Sequence, residues 1–254
     1  MLALHWQPNK HMHIPRIYQD DSLAQGQSLL LSEAAAHHVV NVLRMKAGQP
    51  LILFNGQGGY FNATINRIDK RQVETTVENY HDEECESSLN IILAQGISRG
   101  QRMDYTLQKA VEMGVTKIAP VICQHGNVKL DKKLKDKRLE HWQKIIIGAC
   151  EQSGRNRIPS ISSPVRFDEW VTDENKGLKI LLHPAGQWKL RQLKPVDNNV
   201  VMLAGPEGGF SNAEVYSAEK NGYQSVALGP RTLRTETTPL AAITACQVLW
   251  GDLN

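Results

Sequence analysis

The sequence predicts an α/β protein in two parts: a small all-β unit over residues 12–80 and a mostly parallel sheet covered by helices over residues 89–254. Three observations carry this reading. From Leu89 onward short apolar runs alternate with helical stretches, the pattern of parallel strands joined by crossover helices. Ahead of that region apolar and polar residues alternate with a period of two on either side of glycine turns, the mark of hairpins. Near the C-terminus two segments share one build: a short apolar strand, a glycine and proline loop, then a helix start. The first is Val200–Ala204 followed by Gly205-Pro206-Glu207-Gly208-Gly209-Phe210, and the second is Ser225–Leu228 followed by Gly229-Pro230-Arg231.

Taken in order, the N-terminal unit contains Pro50–Phe54, a turn at 55–59, the alternating Tyr60–Ile65, a turn at Asp69-Lys70 and the alternating Val73–Val77. One helix is expected from Glu33 to Arg44, capped by Ser32, with Ala36, Val39, Val40 and Leu43 on one face. Residues 81–88 are polar and acidic, break the periodicity and read as a linker that would avoid nucleic acid. Beyond it come a strand at Leu89–Gln95, a helix at Gln101–Met113 closed by Gly114, and a strand at Val115–Ile122. A long helix covers Asp131–Gln152, and Leu178–Leu182 forms a strand ahead of His183-Pro184. Ser211 with Glu214 forms a capping box, so a helix starts directly after the first glycine loop. Thr238 before Pro239 fits the N-cap and first position of the last helix, which runs to Trp250.

Composition narrows the function classes. Hydrophobic content of 41% and charged content of 22% suit a soluble globular chain, and 254 residues suffice for one large or two modest domains. The net charge of +3 permits nucleic-acid binding only through local patches. The four cysteines Cys85, Cys123, Cys150 and Cys246 form no CxxC pair, so no zinc site is expected and a reducing, cytoplasmic setting is the default. No apolar run approaches a membrane span. The glycine stretch Gly56-Gln57-Gly58-Gly59 joins two strands, which makes it a hairpin turn and not a dinucleotide fingerprint.

The two matched loops fall at the C-terminal ends of parallel strands, the usual ligand crevice of open α/β sheets, where glycines let a ligand meet bare backbone. Ordinary strand-to-helix connections would look similar, but a matched pair is harder to explain that way.

These loops resemble the signature of the RsmE-type 16S ribosomal RNA uracil-N3 methyltransferases, within the knotted, S-adenosylmethionine-dependent SPOUT superfamily. Further segments agree in the same order: His13–Tyr18, Val42–Met45, Ser98-Arg99-Gly100, and Cys150–Pro159 with its Glu-Gln-Ser-Gly-Arg run. The resemblance begins at Met12, so residues 1–11 are set aside as an extension. It implies a SPOUT-type sheet with a C-terminal trefoil knot, a PUA-like RNA-binding barrel at 12–80, and a cytoplasmic homodimer. It also implies methylation of uracil N3 at one uridine of 16S rRNA near the decoding site, in maturation of the small ribosomal subunit.

By the same resemblance, S-adenosyl-L-methionine would lie against Leu182, His183, Gly205, Pro206, Glu207, Gly208, Gly209, Leu228, Gly229, Leu233 and Arg234. Thr232 departs from the family's usual β-branched aliphatic and adds a hydroxyl. Catalytic roles are expected for Arg155, in the matching Glu-Gln-x-Gly-Arg run, and for Glu207, with the identity of the general base left open. Glu236 is a second carboxylate in range, and Arg231 and Arg234 are cations able to stabilise a uracil anion. Glu207 could equally cap loop amides, and His183 could simply end a strand. RNA contacts are expected at Arg16, Arg44, Lys46, Arg99, Lys132, Lys133 and Lys135, with His13, Arg102 and Lys129 as further candidates. A ribose 2′-O-methyltransferase of the same superfamily stays open as an alternative, although such relatives carry serine-leucine-asparagine where this chain has Thr232-Leu233-Arg234. A non-catalytic RNA-binding factor is the other.

Overall fold

The computed structural model describes residues 14–126 and 132–253, and the side chains of Lys132 and Lys133 fall outside the description. The chain separates between Glu84 and Cys85 into two compact units.

In the first unit the strands are β1 (Arg16–Tyr18), β2 (Ser28–Leu30), β3 (Pro50–Phe54), β4 (Tyr60–Asp69) and β5 (Gln72–His81). They form one sheet in the order β1-β3-β4-β5-β2, with β1 parallel to β3 and every other pairing antiparallel. Register shifts in β4 between Phe61 and Ala63 and between Ile65 and Arg67 bend the long hairpin. The two-residue period is visible in the burial: Leu51 and Leu53, Ala63 and Ile65, and Val73 and Val77 all point inward with Ile17.

Helix α1 (Glu33–His37) starts where expected, with the Ser32 hydroxyl accepting from the Ala35 amide at 3.3 Å. It does not continue as an α-helix to Arg44. The backbone widens into a π-turn at His38–Val42, closed by Leu43 N–H to His38 O, and Arg44 adopts φ +53°. The wider turn keeps Val39 buried but swings Val42 and Leu43 outward, so the expected apolar face breaks at its end.

The second unit is built from β6 (Asn90–Gly96), α2 (Gln101–Glu112), β7 (Val115–Ile122), α3 (Lys132–Ser153), β8 (Ser160–Ile161), β9 (Val165–Arg166) and α4 (Phe167–Thr172). It continues through β10 (Leu178–Leu182), a 3₁₀ turn at Leu190–Gln192, β11 (Asn199–Ala204), α5 (Asn212–Lys220), β12 (Gln224–Val226) and α6 (Thr237–Trp250). Every strand pair is parallel, in the order β12-β10-β11-β6-β7-β8, with β9 also on β7. Cover on both faces explains why β11 reads as an unbroken apolar run, with Val200–Ala204 all buried.

Helix α6 leaves the β12 edge and returns to pack on α2, β11 and the 3₁₀ turn. Its N-cap is Glu236, so Thr238 and Pro239 lie inside the first turn, and Thr238 Oγ1 donates to Arg234 O at 2.9 Å. Leu240 and Ile243 are buried in the unit's own core, whereas Val248 and Leu249 are nearly half exposed.

Candidate active site

Because the strands run parallel, the connections after β6, β7, β10, β11 and β12 all emerge at one edge of the sheet. Three of them enclose a cavity of about 320 Å³. The segment after β10 contributes Leu182, His183 and Pro184; the segment after β11 contributes residues 205–210. The connection after β12 adds Leu228, Gly229, Arg231, Thr232, Leu233 and Thr235, and α6 adds Thr238. The structure thus brings together ten of the eleven residues proposed for the cofactor. Arg234 is the exception: it is exposed and does not line the cavity, while its carbonyl caps the start of α6 through the Thr237 and Thr238 amides.

Each wall has a local cause. Pro206 ends the strand, and the Gly209 N–H to Pro206 O bond closes a turn that needs φ +68° at Gly209. The Ser211–Glu214 capping box then starts α5, as the sequence predicts, and the same Glu214 carboxylate accepts from the Gln124 amide at 2.8 Å. His183 is held in a tight turn in which its Nδ1 accepts from the Ala185 N–H. It ends its strand and lines the cavity at once.

The glycines are not equivalent. A β-carbon on Gly205 would lie 3.2 Å from the Phe210 ring and 3.3 Å from Gly209 Cα, so the cavity wall is already tight there. At Gly208 the obstacle is His125, whose Cβ would be 2.7 Å away, so this glycine serves packing against the β7 connection. His125 Nδ1 also lies 3.2 Å from Gly208 O. A largely apolar floor of Leu182, Val226 and Leu228 with bare-backbone walls suits a flat heteroaromatic ring whose edge backbone N–H and C=O groups can read. The residues present therefore fit an adenosyl group.

Glu207 faces the β6 connection. Its Oε1 accepts from the Arg99 N–H at 2.9 Å and from Arg102 Nη1 at 3.2 Å. Burial pushes its pKa up, but hydrogen bonds from the Arg99 amide, its own amide and Arg102, with the Arg102 charge, outweigh it and hold the carboxyl below its ordinary range. In this arrangement Glu207 caps the Arg99 amide, the loop-capping role the sequence also left open to it. On the other side of Arg102, Glu236 Oε2 lies 4.0 Å from Nε.

Arg155 does not line the cavity, and the residue is 4% exposed. Nε and Nη2 grip the two oxygens of Glu86 at 2.9 and 2.5 Å, and Nη1 donates to Val111 O and Val115 O. These four bonds hold the chain just after α3 against α2, β7 and the segment before β6. The partner went unseen because Glu86 reads as part of an acidic linker and lies 69 residues away in sequence.

The proposed RNA contacts are divided between the two units. Arg16 lies in the first unit with its guanidinium over the Phe54 and Tyr60 rings, at 5.4 and 5.1 Å. Arg44 and Lys46 are exposed on the loop after the π-turn. In the second unit Arg99 stands beside the cavity, while Lys135 is half-buried on α3. The Lys132 and Lys133 side chains, His13, Lys129 and residues 1–11 lie outside the described residues. Among those described, no group of three or more side chains could hold a metal, and no helix is long and apolar enough to cross a membrane.

The chain matches the RNA methyltransferase domain family over residues 85–247 and the RNA methyltransferase PUA domain family over residues 31–78. A ribosomal RNA small subunit methyltransferase E from Buchnera aphidicola subsp. Schizaphis graminum is 37% identical over 243 residues, 95% of this chain and 98% of that protein. A protein from Legionella pneumophila, solved in complex with bound cofactor SAM, is 43% identical with a TM-score of 0.92, covering 94% of this chain and 99% of its own. A ribosomal RNA small subunit methyltransferase E from Neisseria gonorrhoeae, bound to S-adenosyl methionine, is 40% identical with a TM-score of 0.89, covering 95% and 100%. Domain match, near-complete relatives and a shared α/β architecture agree: the chain is an RNA methyltransferase and belongs to the ribosomal RNA small subunit methyltransferase E family.

Proposed function

We propose that this enzyme methylates uracil N3 at a single uridine of 16S rRNA near the decoding site, within the small ribosomal subunit, using S-adenosyl-L-methionine. The carrying observation is the glycine-walled cavity made by the three connections after β10, β11 and β12. The cofactor supplies an electrophilic methyl group. The chain's own task is to hold the uracil edge in line with it and to ease departure of the N3 proton. Positioning supplies much of the rate in such transfers. Arg99 and Arg102 beside Glu207, and Arg231 in the cavity wall, are cations able to stabilise the charge that develops on the base. We assign binding of the cofactor to Leu182, His183, Gly205–Gly209, Leu228, Gly229 and Leu233. The N-terminal unit carries RNA affinity, and the enzyme works as a cytoplasmic homodimer whose seam includes the exposed Val248 and Leu249 of α6.

Nucleoside mass spectrometry of ribosomal RNA from a deletion strain tests this reading. Loss of N3-methyluridine from 16S rRNA, restored by the intact gene, is the expected result. Unchanged N3-methyluridine with loss of a ribose-methylated nucleoside would overturn it in favour of 2′-O chemistry.

A further inference from the structure

Gly205 is the point where β11 becomes the cavity wall, and its carbonyl oxygen is gripped by side chains from two different elements. Thr235 Oγ1 donates to it at 2.7 Å, and Gln95 Nε2 donates at 3.3 Å. Gln95 stands near the end of β6, fully buried, and its Nε2 also donates to Gly96 O at 3.0 Å. Its Oε1 is buried with no hydrogen-bond partner. An unpaired buried acceptor is destabilising, so the gain from this amide lies in the two carbonyls its Nε2 holds, Gly96 O and Gly205 O.

The contact beneath the loop is equally close. A β-carbon on Gly96 would lie 2.5 Å from both Cδ and N of Pro206, so the Gly205–Pro206 peptide rests directly on the backbone of β6. Ser98 completes the arrangement, with Oγ 3.3 Å from Thr235 Oγ1. Ser98 Oγ also lies 3.5 Å from Gly96 O, so this hydroxyl sits between the end of β6 and Thr235. Strand β6, through Gln95, and the connection after β12, through Thr235, are tied to the same carbonyl.

We infer that Gln95 and Thr235 are positioning residues for the cofactor: together they fix the plane of the Gly205–Pro206 peptide and hence the wall that the ligand meets. The inference rests on the cofactor reading proposed above. Neither side chain need touch the reacting atoms. Their effect is to keep a glycine-rich turn, with few side-chain contacts of its own, in one arrangement before the ligand arrives.

Calorimetric titration of the full chain with S-adenosylmethionine, beside RNA binding by filter retention, tests this. Thr235→Val keeps the shape and removes the donor, and should weaken cofactor binding about tenfold, the worth of one well-placed hydrogen bond. Its RNA affinity should stay within about twofold, and Thr235→Ser, which keeps the hydroxyl, should recover cofactor affinity to within about threefold. Because both donors serve one acceptor, Gln95→Leu combined with Thr235→Val should lose clearly less than the product of the two single losses. Cofactor binding by Thr235→Val equal to that of the unaltered chain would overturn the inference, as would failure of Thr235→Ser to recover or simple additivity of the pair. If the unaltered chain gave no heat of binding, the cofactor reading itself would fall first, and this inference with it.

Discussion

Replacing Arg155 by alanine should unfold the second unit at a much lower temperature while leaving the cofactor site of the surviving folded protein intact. The magnitude follows from the contacts. The Arg155 side chain is 5% exposed and that of its partner Glu86 17%. Truncation leaves that carboxylate without its cation and removes the donors to Val111 O and Val115 O. Breaking a buried pair from one side costs about 3–5 kcal/mol, because a desolvated charge remains without compensation. For a unit of this size each kcal/mol lowers Tm by roughly 2–4 °C, so a fall on the order of 6–20 °C is expected. Thermal unfolding by circular dichroism measures it, and calorimetry at low temperature should find S-adenosylmethionine affinity within about threefold of the unaltered chain. Glu86→Ala, which strands the guanidinium instead, should destabilise to a similar extent. An Arg155→Ala protein that melts within about 2 °C of the parent yet has lost turnover would refute this reasoning and return the residue to the chemistry.

Three other perturbations test the site and its surroundings. Gly205→Val forces two further methyl groups beyond a β-carbon already 3.2 Å from Phe210, so cofactor affinity measured by calorimetry should fall about 5–150-fold with RNA affinity retained. The folded pKa of Glu207 is lowered, so its contribution to stability is full above its unfolded value near 4.3 and is lost as pH falls through the lower folded value. Glu207→Gln should therefore flatten the dependence of Tm on pH in the acid range below that unfolded value, and an unchanged profile would remove the Arg99 and Arg102 contacts from the account. A fragment starting at Cys85, lacking the first unit, should keep cofactor binding but lose RNA affinity and much of its salt dependence, as fewer phosphate contacts release fewer counterions. An unchanged salt slope would move the RNA site onto the second unit.

What the sequence made legible, and what it hid, follows from the range of the interactions involved. Strands buried on both faces leave continuous apolar runs, so Val115–Ile122 and Leu178–Leu182 are readable to the residue. The Ser211–Glu214 cap is likewise local and readable. The short helix at Phe167–Thr172 is too brief to show a helical period, and the edge strands β1, β2, β8 and β9 have two or three residues each. The π-turn after His37 depends on packing Val39 into a core that no local window contains. The ion pair of Arg155 is hidden for the same reason, since its carboxylate partner lies 69 residues away. Gly205 and Gly208 look alike in the sequence, and only the approach of Phe210 to one and His125 to the other separates their roles.

The ion cluster at the cavity's edge bears on how the N3 proton leaves. Arg102 stands between two carboxylates, 3.2 Å from Glu207 and 4.0 Å from Glu236. Glu207 is kept ionised by donors that also hold it in place, so protonating it would break those contacts, and a group so stabilised takes a proton poorly. The same contacts have a second consequence: they anchor the Arg99 backbone and the Arg102 side chain, which is half exposed, next to the cofactor loop. We propose that the carboxylate acts on the cations and not on the substrate. On that proposal, catalysis depends on lowering the cost of the uracil anion through nearby positive charge, with water able to carry the proton away, more than on a side chain poised as a base. On that account Arg102→Ala should reduce methyl transfer more than Glu207→Gln does in single-turnover assays on small ribosomal subunits with S-adenosylmethionine saturating. The reverse order, with Glu207→Gln the more severe, would reinstate the carboxylate as the proton acceptor.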